Sequence, residues 1–203
     1  MTSLRITILS LVLVSSLSFA DTEQWWNEFS AKTAYQDYSL NFASEQKTDL
    51  TGDGLFMLNG KFSVSRSVAE GLDLGVEFRH ESKGAEGDFS SEEWRVAPFA
   101  KKKLSINGVK TAWRLKLENR WKNDDYGLRA RLRGKVSEVY GDYKAYASYE
   151  YFYKLSDGEK DKNRVAIGAE RQLTQDWKGD LYLLRESGSS VAWVIGTKFK
   201  YKF

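Results

Sequence analysis

Residues 113–133 read WRLKLENRWKNDDYGLRARLR. Two alternating runs meet at a polar turn. In the first, Trp113, Leu115, Leu117 and, past Asn119, Trp121 share one parity, while Arg114, Lys116, Glu118 and Arg120 share the other. In the second, Tyr126, Leu128, Ala130 and Leu132 alternate with Arg129, Arg131 and Arg133. Successive side chains of a strand point to opposite faces, so a period of two makes each run a strand with one apolar and one charged face. The KNDD stretch at 122–125 reads as the turn of a hairpin.

The pattern continues in both directions. Phe29, Ala31, Thr33 and Tyr35 alternate, as do Tyr38, Leu40 and Phe42, and Phe56, Leu58, Gly60, Phe62 and Val64. Leu72, Leu74, Val76 and Phe78 follow, then Trp94 and Val96. Beyond residue 133 come Tyr143, Ala145, Ala147, Tyr149, Tyr151 and Tyr153, then Val165, Ile167 and Ala169, and the closing run VAWVIGTKFKYKF at 191–203. LYLLRE at 181–186 is ambiguous in phase. No window shows a helical period.

The runs reach about ten residues or more, the length a tilted strand needs to cross a bilayer; strands of soluble sheets are mostly about five or six long. Trp and Tyr sit near the run ends, as in Trp113 with Trp121 and Trp193 with Tyr201. Such girdles mark the two interfaces of a membrane barrel. Connectors alternate between short turns (residues 35–37, 66–71, 105–108, 139–142, 173–176) and longer polar stretches (46–54, 82–91, 155–163). That is the asymmetry of periplasmic turns against extracellular loops. The fold class expected is therefore all-β: a transmembrane antiparallel up-and-down barrel of ten to twelve strands, with both termini in the periplasm. Bacterial barrels have even strand numbers. Eleven runs thus imply ten or twelve, and in the ten-stranded count residues 23–34 stand outside the wall.

Composition narrows the function. Among 203 residues, 41% are hydrophobic and 29% charged. The 31 basic and 28 acidic residues leave a net charge of +3, a mixed surface rather than a nucleic-acid-binding excess. The absence of cysteine excludes disulfides and thiolate sites, and the single histidine, His80, leaves little scope for zinc. No cofactor and no metal are expected. Arg5, the apolar stretch of about 14 residues at 6–19, and the small residues Ser18 and Ala20 read as a cleaved secretory signal peptide over 1–20. Residues 21–203 then form one barrel domain.

Behind such a leader, alternating hydrophobics ending in Phe203 resemble the Gram-negative outer-membrane barrels. That resemblance implies an outer-membrane location and makes Trp193, Ile195, Phe199, Tyr201 and Phe203 the signal read by the barrel assembly machinery. A closer similarity rests on WWNEFSAKTAYQDYSLNFASEQ (25–46), EEWRVAPFAKKKLSINGVKTAWRLKLENRW (92–121) and NRVAIGAERQLTQDWKGDLYLLRE (163–186). Its W-R-x-x-P-F and L-x-x-E-N-R patterns resemble a family of small outer-membrane proteins of unknown function. A remoter likeness, in size and arginine content, is to the narrow porins for acidic sugars.

The candidate site is the charged parity. Arg79, Arg95, Arg114, Glu118, Arg120, Arg129, Arg131 and Arg133 form a ladder that, facing a lumen, would draw small anionic solutes through a narrow passive pore or binding barrel. In the alternative, these cations pair with Glu77, Glu81, Glu93, Glu150 and Glu170, as buried charges must. The result would be a non-conducting structural barrel. A third reading takes His80, Ser82 and Glu93 as a rim hydrolase similar to the lipid A deacylases; the plainer account of His80 is a headgroup-level histidine. Gly52-Asp53-Gly54 and Asp157-Gly158-Glu159 lack a full calcium ligand set. Lys122, Lys160 and Lys162 would suit contacts to lipopolysaccharide phosphates. The partners expected are outer-membrane lipid, lipopolysaccharide, the assembly machinery and a small anionic solute, with no nucleic acid.

Overall fold

A computed structural model describes residues 22–52, 54–84, 88–106, 109–123 and 125–203. The expected leader lies outside these residues, as do Asp53 and Asp124. Eleven strands follow one another: β1 (Thr22–Tyr35), β2 (Tyr38–Asp49), β3 (Gly54–Ala69), β4 (Leu72–Lys83), β5 (Ser91–Ile106), β6 (Val109–Lys122), β7 (Asp125–Tyr140), β8 (Tyr143–Lys154), β9 (Glu159–Gln172), β10 (Trp177–Ser187) and β11 (Val191–Lys202). Each pairs antiparallel with the next, and β1 closes on β11.

Eleven is within the expected range, but it is odd, and the even-number expectation does not hold. In an up-and-down barrel with an odd count, the first and last strands must run the same way. The closing pair is accordingly parallel, from Thr22 against Ala192 to Lys32 against Lys202. Residues 23–34 are thus a full wall strand, carried by Trp25, Phe29 and Ala31 on one parity and Trp26 and Glu28 on the other. The parallel closure also corrects the placement of the termini: Thr22 and Lys202 lie at opposite rims.

Tyr35, Ala69, Ile106, Tyr140 and Gln172 end their strands at one rim, where two to four residues separate each from the next strand; this is the turn rim. Asp49, Lys83, Lys122, Lys154 and Ser187 end theirs at the other, the loop rim, where two to seven residues intervene. The long loops expected from the sequence are shorter than their polarity suggests. Polar residues such as Gln46–Asp49 and Glu159–Asn163 continue the ladder beyond the apolar belt, because backbone pairing does not require apolar side chains. At the turn rim, Gly71 has φ +66 and donates no room to a side chain: a Cβ there would lie 2.4 Å from the Lys103 carbonyl oxygen.

The molecule is apolar outside and charged inside. Among the described residues, ten hydrophobic side chains are buried against thirteen polar or charged ones, and thirty large hydrophobics are exposed. Trp25, Phe42, Phe78, Leu115, Leu132, Leu181 and Ile195 all belong to the outward parity. In water such a surface would be a severe aggregation liability; it suits hydrocarbon. The phase of β10 resolves the same way, with Leu181 exposed outside and Tyr182 and Leu184 buried inside.

Candidate functional site

Inward parity from eleven strands leaves a narrow lumen, and its two halves are built differently. Toward the loop rim it is a lattice of ion pairs. Glu118 holds Arg129 at 2.6 Å and Arg131 at 3.4 Å, with its own side chain 1% exposed. Arg131 passes on to Glu150 at 2.6 Å, and Arg129 to Asp161 at 2.6 Å. On the neighbouring wall Arg95 joins Glu93 at 2.6 Å to Glu81 at 2.9 Å, and Arg120 also donates to Glu93. Arg79 lies 3.3 Å from Glu77, which also takes Lys116. The ring of Phe152 is buried among guanidinium groups, with Arg129 5.0 Å, Arg131 4.8 Å and Arg164 5.0 Å from its centroid. A cation above an aromatic face is stabilised by the ring quadrupole. Carboxylates and rings together neutralise charges that burial would otherwise penalise.

Midway along the barrel one wall turns apolar. Trp26, Tyr146, Ala166, Tyr182, Leu184 and Val194 cluster there. The two tyrosines lie flat against glycines of the next strand. A Cβ on Gly168 would come within 2.7 Å of the Tyr146 ring, and one on Gly196 within 1.9 Å of the Tyr182 ring. The open faces carry cations: Lys135 stands 3.4 Å above Tyr146 and Lys198 5.1 Å above Tyr182. Trp26 has Lys47 at 3.5 Å and Arg164 at 4.8 Å. Between this wall and Lys61, Arg114 and Arg131 lies a chamber of about 200 Å³.

The chamber shares Arg114, Arg133, Tyr146 and Lys198 with a wider vestibule of about 750 Å³ toward the turn rim. Nine residues lining the vestibule are Lys or Arg, and two, Glu28 and Asp180, are carboxylates. Asp180 accepts from the Tyr146 hydroxyl at 2.9 Å and pairs with Lys200 at 2.9 Å. Glu28 is drawn to Lys61 at 2.6 Å. Lys101, Lys110, Arg133, Lys135 and Lys144 make no ion pair with any described residue.

All eight ladder residues occupy inward positions. Seven are drawn into ion pairs, with Arg114 the loosest at 3.6 Å from Glu150; Arg133 makes no ion pair with a described residue, although Glu150 is in register with it. Of the expected acidic partners, Glu77, Glu81, Glu93 and Glu150 serve arginines, whereas Glu170 takes Lys200. The three hydrolase candidates do not converge. His80 and Ser82 share the outer face, but Glu93 points inward and is held by Arg95 and Arg120. His80 stacks on Trp94 at 4.2 Å and has Glu92, 3.7 Å away, as its carboxylate neighbour. Trp193, Ile195, Phe199, Tyr201 and Phe203 follow the outward parity, with Tyr201 edge-on to Phe203 at 4.6 Å. Sequence reasoning missed Trp26, Lys47, Tyr146, Phe152 and Tyr182. A signal was present: each aromatic sits on the charged parity of its strand.

A closed barrel with an apolar exterior and a charged, partly open lumen is the class these features define. Within it, the chain belongs to the family described as "Protein of unknown function (DUF2490)", which matches residues 23–192. The resemblance expected from the W-R-x-x-P-F and L-x-x-E-N-R patterns is thereby met. Two solved structures are similar at 15% identity. One is a KdgM porin, with TM-score 0.46 over 73% of this chain and 82% of that one. The other is a KdgM porin in complex with disordered oligogalacturonate, with TM-score 0.48 over 81% of this chain and 90% of that one. No curated protein matches the chain.

Proposed function

We propose that the protein is an outer-membrane barrel that takes small anionic solutes into its lumen through the turn-rim mouth, and that this mouth faces the periplasm. The observation that carries this reading is the vestibule's excess of nine cations over two carboxylates. Clustered like charge between low-dielectric walls raises the local concentration of counter-ions. The apolar exterior supports a membrane location, and the shorter connectors at the turn rim support the orientation. The ion-paired loop half favours a binding barrel, or a pore of very low conductance, over an open channel.

Planar-bilayer recording of the refolded protein under a salt gradient, together with anion titration, tests this. The expected result is small, anion-selective conductance or saturable anion binding. Neither conductance nor binding would leave the structural, non-conducting reading in its place. Assembly is separable from this test. Deletion of Phe203 is expected to lower outer-membrane insertion, read by heat-modifiable gel migration, while leaving the selectivity of inserted barrels unchanged.

A further inference from the structure

Three inward cations lie side by side on three adjacent strands. Lys101 of β5 is in register with Arg114 of β6, and Arg114 with Arg133 of β7. Neighbouring strands are about 4.8 Å apart, so the row spans about 10 Å of wall. Like charges directly opposite one another in a sheet repel. Elsewhere in this lumen such repulsion is relieved by a bridging carboxylate, as Glu93 does for Arg95 and Arg120, which are in register. Here relief is almost absent. The nearest carboxylate to Arg114 is Glu150 at 3.6 Å, itself committed to Arg131 at 2.6 Å. Asp73 is in register with Lys101 but is drawn to Lys103 at 2.9 Å. Lys101 and Arg133 have no ion-pair partner among the described residues, and all three cations line the vestibule.

We infer that this row is a binding site for a dianion whose two carboxylate or phosphate groups are about one strand spacing apart, roughly 5 Å. One acidic group would sit between Lys101 and Arg114, the other between Arg114 and Arg133. Arg114 shares its guanidinium between them, since its planar fork can serve two acceptors. The row is flanked at its own level by Asp73 beside Lys101 and Glu150 beside Arg133, but these are drawn to Lys103 and Arg131, and the ligand supplies the interleaved negative charge they withhold. The inference rests on the anion-uptake reading and narrows it to a charge number and a spacing.

Calorimetric titration of the refolded protein in detergent, at fixed ionic strength, tests it with four probes: glutarate, butyrate, malonate and propane-1,3-bisphosphonate. Glutarate is expected to bind at least about tenfold tighter than butyrate, as a second charge-assisted contact would give. It should also outbind malonate, whose carboxylates are closer together. Propane-1,3-bisphosphonate against glutarate, at the same three-carbon span, tells a phosphate-type ligand from a carboxylate one. R114Q and R133Q, each of which relieves repulsion and so should fold, are expected to remove the glutarate advantage. Lys144→Gln, in the vestibule but off the row, should leave it intact. Glutarate binding within about threefold of butyrate, or an advantage that survives both arginine variants, would overturn the row. If no probe binds at all, the anion-uptake reading fails with it. If all bind alike, only the dianion site fails.

Discussion

The two halves of the lumen are both lined with cations, mostly Arg toward the loop rim and mostly Lys toward the turn rim, and they differ most in the supply of carboxylates. Toward the loop rim, arginines pair along and across strands with Glu81, Glu93, Glu118 and Glu150, and the side chains pack into a buried lattice. Toward the turn rim the cations continue but the acids thin to Glu28 and Asp180 in the lining, and an open vestibule takes the lattice's place. A cation is therefore structural or available according to whether a carboxylate reaches it, from its own strand as Glu93 reaches Arg95 or from a neighbour as Glu118 reaches Arg129. Removing a charge should have opposite consequences in the two halves, which makes the comparison breakable.

The largest effect is expected at Glu118. Replacing it by Gln leaves Arg129 and Arg131 buried with one counter-charge fewer. Breaking a buried pair from one side typically costs about 3–5 kcal/mol. Arg131 keeps Glu150 and Arg129 keeps Asp161, which points to the lower end of that range. Urea unfolding from detergent or lipid should show a loss of about 3 kcal/mol. A loss below about 1 kcal/mol would mean that the lattice is hydrated and the two halves are not different media.

The boundary between the halves is the next place to press. Gly196→Ala would put a Cβ 1.9 Å from the Tyr182 ring. The ring must then leave its seat, taking the platform under Lys198 with it. Overpacking of this kind costs about 1–3 kcal/mol. The same unfolding assay should find Gly60→Ala far milder on its contacts, since nothing lies within 4 Å of a Cβ there. Equal losses at the two glycines would show that the ring seat is not what Gly196 provides.

In the vestibule the sign should reverse. Lys101→Gln removes one member of a like-charge row and is expected to stabilise the barrel slightly, by about 0.5 kcal/mol at low salt. It should also weaken anion binding. A destabilisation comparable to that of Glu118→Gln would show that Lys101 has a structural counter-charge after all.

Most of the fold was legible because it depends on parity. Each strand's inward and outward sets follow from a period of two, and only β10, with consecutive Leu183 and Leu184, hid its phase. The strand count was misjudged because closure is a relation between residues about 170 positions apart, as in the hydrogen bond from Thr197 to Asn27, and no local pattern marks a parallel seam. The ladder was legible as a set of inward charges. Which of its members are neutralised was not, because that depends on which way each carboxylate reaches in the folded lumen: Arg129, Arg131 and Arg133 alternate identically in sequence, yet two are held by Glu118, and Glu150, in register with Arg133, reaches Arg131 instead.

The smallest effect sharpens the contrast most cleanly, because it repeats the first substitution's chemistry in the other half. Asp73 pairs with Lys103 at 2.9 Å, but the lysine side chain is 54% exposed and the aspartate 21%, so the pair stands in water. Exposed pairs contribute little, and Asp73→Asn should cost under about 0.5 kcal/mol against about 3 for Glu118→Gln. The same change withdraws a negative charge from the register position beside Lys101. Anion affinity should therefore rise as stability barely moves, and it should rise less at high salt, where screening shortens the reach of the freed Lys103. Were Asp73→Asn to weaken anion binding instead, the carboxylate would be ordering the cation row rather than competing for it.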